Sequence, residues 1–142
     1  MKNKDISKLI QELKTTACIK KFIANNNKEF KKESFSEYLD KTLKEKNLTK
    51  ASVIRKSGLE QSYAYHIFSG DRKPSIKKVL ALATALELDV SKVQYLLKLA
   101  NVGELYIRNQ WDCVILHALN KKLNVIETNQ LLEELAETEF LE

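Results

Sequence analysis

Three glycines and a single proline in 142 residues constrain this chain more than any other feature. Hairpins and sandwiches need glycine or proline at most of their corners, whereas helices joined by short polar turns need few of either. The apolar residues agree, because they recur at helical spacing in every segment and none alternates convincingly with a period of two. The expected fold is all-α. The length suffices for one well-buried core, with or without an extension, and 44% hydrophobic with 30% charged residues is an ordinary globular balance.

Along the chain, Ile6, Leu9, Ile10, Leu13 and Ala17, followed by Ile19, Phe22 and Ile23, predict one amphipathic helix over 5–24. NNNKEFKK (25–32) reads as a polar break and short linker. Ser34 and Glu37 have capping-box spacing and open a helix with Phe35, Tyr38, Leu39 and Leu43 on one face. Thr49 is a cap for a helix carrying Ala51, Val53 and Ile54, which stops at Gly58. A short helix from Glu60 to Ser69 ends at Gly70. Pro74 and Ser75 introduce a helix with Ile76, Val79, Leu80, Ala83 and Leu86, and Ser91 is the expected cap of the next, over 92–100. Two more helices are expected over 112–121 and 126–137. A shift of 35 residues lays Leu88, Val90, Leu96 and Leu97 over Leu123, Val125, Leu131 and Leu132, with Asp89 over Asn124, so the C-terminal part reads as a second helical hairpin stacked on the first.

Charge is unevenly spread. Residues 41–78 carry ten Lys/Arg against three acids, whereas residues 123–142 carry six glutamates and no base. A basic centre suits an anionic partner, although two differently solvated helix faces would look the same. The acidic end is expected to mark a face turned away from such a partner.

Other chemistry is sparse. MKNKDISKLIQELK has no signal-peptide core, and the apolar stretch VLALATAL (79–86) is far short of a membrane span, so a cytoplasmic location is expected. Cys18 and Cys113 make no disulfide framework. Cys113 and His117, at i and i+4, are half of a metal site, but a buried thiol beside a core-edge histidine fits them better and no cofactor is implied. Three glycines leave no phosphate-cradling loop, and no nucleophile elbow or H-E-x-x-H is present, so an enzyme is not expected. Trp111 either plugs the junction between two helical pairs or anchors a partner.

The informative stretch is GLEQSYAYHIFSGDRKPS (58–75). Two short helices meet at Gly58, and with Ala64 and Ile67 turned inward the second presents Glu60, Gln61, Ser62, Tyr65 and His66 outward. LTKASVIRKSGLEQSYAYHIFSGDRKPSIKKVLALATALEL (48–88) resembles the Cro/CI-type (Xre-like) helix-turn-helix. The resemblance rests on Ala51, Gly58, Leu59, the S-G-x-R-x-P-S string from Ser69 to Ser75 and the Leu/Ala-rich helix after it, and covers roughly residues 35–100.

The resemblance implies a lambda-repressor-like bundle over 34–102, with an N-terminal amphipathic helix and linker (1–33) and a C-terminal helical hairpin (103–142) for packing or dimerisation. It implies a regulator of transcription, a repressor, that binds double-stranded operator DNA as a homodimer in the cytoplasm and on the nucleoid when bound. Carried over by position, Gln61, Ser62 and Tyr65, with His66 beside them, become base readers. Lys50, Arg72, Lys73 and Lys77, with Thr49 and Tyr63, become phosphate contacts. Tyr65 could equally pack on the surface. Two positions depart from the pattern: Lys50 stands where glutamine is usual, and Phe68 replaces an acidic residue, which suggests that Phe68 packs on a neighbouring element such as the N-terminal helix or the extension. Those departures also feed an alternative, an adaptor that keeps the architecture but acts through a protein partner at the N-terminal helix or residues 103–142. No membrane partner is expected.

Overall fold

The computed structural model describes residues 5–30, 33–139 and 141, and every regular element among them is helical. They fall into two compact units, Met1–Glu33 and Ser34–Glu142.

The first unit holds α1 (Ile6–Thr15), α2 (Ile19–Asn25) and a 3-10 turn at Asn27–Glu29. The single helix expected over 5–24 is therefore broken. The cause is local: the Thr15 hydroxyl bonds back to the carbonyls of Gln11 and Glu12, and Thr16 and Cys18 are extended. Part of the expected linker is ordered as well. Asn26 is buried, and its amide donates to Glu12 Oε2 at 3.1 Å and to the Phe22 carbonyl at 3.0 Å, tying α2 to α1. The remainder of that linker, Lys31 and Lys32, lies outside the described residues. Neither helix buries a residue, and Ile6, Ile10, Leu13, Ile19 and Ile23 are 47–67% exposed.

The second unit is a bundle of α3 (Phe35–Lys46), α4 (Lys50–Ser57), α5 (Gln61–Ser69), α6 (Ile76–Ala85), α7 (Val90–Ala100), α8 (Gln110–Asn120) and α9 (Val125–Glu134). Its axis is α6, in which every residue from Val79 to Ala85 is buried. Such a helix, apolar all round, has to lie at the centre. Helices α4, α7 and α9 pack on it, α3 spans α5 and α7, and α8 bridges α7 and α9. Residues 103–142 extend the same core through Leu105, Val114, Ile115, Leu119, Val125 and Leu132. Each large buried side chain contributes roughly 1.5–3 kcal/mol.

Caps fix where these helices begin. The expected cap of α7, Ser91, is not the cap: Asp89 is, accepting from the Lys92 N–H at 3.0 Å, while the Ser91 hydroxyl donates to the Asp89 carboxylate at 2.8 Å. Asp outcompetes Ser because its carboxylate also complements the positive end of the helix dipole. Asn109 caps α8, and Asn124 caps α9 with Glu127 completing a capping box.

Candidate nucleic-acid interface

The α4–α5 turn is built by three neighbouring residues. Gly58 closes α4 at φ 76°, and an added Cβ would meet nothing within 4 Å, so conformation rather than space requires the glycine. The buried Ser57 hydroxyl donates to the Ile54 carbonyl at 2.6 Å and accepts from the Leu59 N–H at 3.2 Å, carrying the chain through the corner. Glu60 then stands just outside α5, which begins at Gln61, one residue later than expected. Its carboxylate accepts from the N–H groups of Tyr63 at 2.8 Å and Ser62 at 3.1 Å, which hold its pKa below the usual glutamate value. At the far end Gly70, at φ 88°, lies against α3, where the Ser36 hydroxyl donates to the Phe68 carbonyl.

Ala64 and Ile67 are fully buried, which fixes the outward faces of α5. Ser62 and His66 lie one turn apart and are exposed. Gln61 and Tyr65, also one turn apart, line an open groove of about 440 Å³ together with Ala51, Ile54, Arg55, Gly58 and Leu59. The four expected base readers thus share one helix but occupy two adjoining strips. His66 has its Nδ1 3.4 Å from the Asp71 carboxylate.

The expected phosphate contacts divide sharply. Arg72 and Lys73 are exposed, and neither has an ion pair among the described residues. Lys50 and Lys77 are already engaged: Lys50 Nζ is 3.8 Å from Asp40, and Lys77 pairs with Glu139. Thr49 is exposed and caps α4, accepting from the Ser52 N–H at 3.2 Å. Tyr63 is half-buried, and its ring carries two cations, the Arg72 guanidinium at 5.5 Å and the Lys78 ammonium at 5.6 Å from its centroid. Lys78 escaped the sequence reading because its partner ring lies 15 positions back on another helix; the adjacent Lys77–Lys78 pair is the only trace of it.

The two departures from the family pattern meet each other. Lys50 Nζ sits 5.9 Å from the centre of the Phe68 ring, and Phe68 is buried, its carbonyl accepting from the Ser36 hydroxyl of α3. Within the second unit Phe68 thus meets a cation from α4 and is tied through its carbonyl to α3. A cation over an aromatic ring joins α4 to α5.

Dipole ends complete the electrostatics. Neither α4 nor α6 carries an acidic residue in its own first turn, whereas α5 starts behind the Glu60 carboxylate. Elsewhere, no group of three or more His, Cys, Asp or Glu gathers for a metal among the described residues, and no described helix is long and apolar enough to cross a membrane.

Comparison with known proteins agrees with this geometry. Residues 39–93 match a protein-family model described as Helix-turn-helix. No curated protein and no solved structure shows a significant match to the chain. The matched span runs from α3 into α7 and includes the α4–α5 turn, every expected base reader and the cations around Tyr63. Residues 39–93 therefore belong to the Cro/CI (Xre-like) helix-turn-helix family of DNA-binding regulators.

Proposed function

We propose that the chain is a sequence-specific reader of double-stranded DNA that represses transcription, with α5 entering the major groove. The observation that carries this is the polar outer face of α5 together with Arg72, Lys73 and Lys78, cations with no ion pair among the described residues, two of them held on the Tyr63 ring of α5. Gln61, Ser62, Tyr65 and His66 take the base edges, glutamine by a bidentate bond to adenine and tyrosine by contact with a thymine methyl. The cations, the Thr49 hydroxyl and the backbone N–H groups at the start of α6 grip phosphates and set register. Lys50 holds α4 on Phe68, and Tyr63 orients Arg72 and Lys78 through its ring.

In this reading residues 34–102 are the reader, and two copies bind half-sites about one helical turn, roughly 34 Å, apart. Their contact uses the first unit or residues 103–142. The protein works in the cytoplasm, on the nucleoid when bound. Exposed Tyr106, Ile107 and Ile126 favour one competing reading, an adaptor that engages a protein partner. Selection against randomised duplex at about 150 mM salt, where nonspecific contacts are weakened, separates the two. A recovered palindrome is expected; absence of any duplex binding would leave the adaptor.

A further inference from the structure

The acidic end of the chain returns to the basic cluster, contrary to the expectation that it marks the opposite face. After α9 the Leu135 carbonyl accepts from the Gln110 amide at 3.5 Å. Trp111 Nε1 then donates to the Glu139 carbonyl at 2.9 Å, so the indole pins this tail as well as packing on the core. Leu141 is fully buried, and its N–H and carbonyl are both held by the Asn129 side chain, at 2.8 Å and 3.0 Å. Two anchors therefore bracket Glu139, whose carboxylate pairs with Lys77 in the first turn of α6. The next residue, Lys78, is the one stacked on Tyr63.

We propose that this C-terminal strap is a built-in competitor of the nucleic-acid backbone. Glu139 occupies the Lys77 ammonium and must be displaced before Lys77 reaches a phosphate. The inference rests on the DNA-binding reading above and names how that site is regulated. The anchors hold the Glu139 backbone in place, so little main-chain freedom remains to be lost when the pair forms. Both partners stay partly exposed, with 37% and 59% of their side-chain surface accessible, so the contact is weak enough to open without unfolding the bundle. A modest effect follows, roughly two- to fivefold in affinity at low salt, the range of exposed ion pairs. Its salt signature is more specific, because one further phosphate contact steepens the dependence of log K on log salt by about 0.9.

The test is titration of a short mixed-sequence fluorescent duplex with the full chain over a series of salt concentrations. Wild type, Glu139→Gln, Lys77→Gln and the double variant are compared, with thermal melts to confirm folding. Glu139→Gln preserves the backbone bond to Trp111. It is expected to bind two- to fivefold tighter at low salt, with a slope steeper by about 0.9. The gain is expected to vanish in the double variant. Unchanged affinity and slope in Glu139→Gln would overturn the strap alone. A gain that survives in the Lys77→Gln background would also overturn it, because general charge and not occupancy would then be responsible. Failure of the wild type to bind any duplex would overturn the DNA-binding reading and this inference with it.

Discussion

The hairpins α6–α7 and α8–α9 turn the same corner and come to different ends. Glu87 and Lys122, 35 residues apart, adopt the left-handed conformation at φ 55° and 56°. The following N–H groups, of Leu88 and Leu123, return to the carbonyls of Ala83 and Ala118 at 3.2 Å and 3.0 Å. Asp89 and Asn124 then cap the second helix of each pair. Yet α6 is buried from Val79 to Ala85, while α9 buries only Val125, Thr128 and Leu132. Turn and cap chemistry sets the bend; the width of the apolar face sets depth in the bundle. The corners also touch, since Lys122 Nζ donates to the Glu87 carbonyl at 3.0 Å.

The sharpest way to break this likeness is to hollow both hairpins at matched positions. Leu97 and Leu132, equivalent under the 35-residue shift, are both fully buried. Leu97→Ala and Leu132→Ala should each destabilise by about 2–5 kcal/mol in chemical denaturation. A single transition is expected for each variant; an early separate phase in Leu132→Ala would detach the second hairpin from the unit. Smaller effects come from the caps, with Asp89→Ala and Asn124→Ala each losing about 1 kcal/mol at neutral pH.

Acid should separate the two caps. The Lys92 N–H, and then the Ser91 hydroxyl, hold the Asp89 pKa below its ordinary value. Its stabilisation is therefore complete above the unfolded aspartate pKa and fades as pH falls through the lowered folded value. The Asn124 amide gains no proton. Melts at neutral and strongly acidic pH should show the difference between wild type and Asp89→Asn shrinking in acid; a constant difference would break the assignment. Smallest of all, Glu87→Gly should gain a few tenths of a kcal/mol by relieving the left-handed strain. Lys122→Gly should gain less, since it forfeits the bond to Glu87.

The α4–α5 unit was legible because its punctuation is chemical. Thr49, Gly58 and Gly70 are residue types that few other backbone states favour, and the inward pair Ala64 and Ile67 fixes the rotation of α5. The break at Thr15–Thr16 was not, since a threonine bonding back to the preceding turn and one bonding forward to the Cys18 carbonyl look the same in sequence as two that continue the helix. Left-handed corners at Glu87, Lys122 and Ala136 were hidden for a similar reason, as nothing in a glutamate, lysine or alanine announces positive φ. That Gln61, Ser62, Tyr65 and His66 share one helix was legible. Their division into two strips, and the occupation of Lys50 by Asp40 and Phe68 and of Lys77 by Glu139, depend on neighbours distant in sequence.

Glu60 places a fixed negative charge at the tip of the helix proposed to enter the groove, its oxygens already satisfied by Tyr63 and Ser62. Random duplex offers that carboxylate mainly phosphates, which it repels, whereas a matched site compensates through base edges further along α5. In the proposed reading the same carboxylate weakens the hold on random duplex most, where no base contact offsets the repulsion.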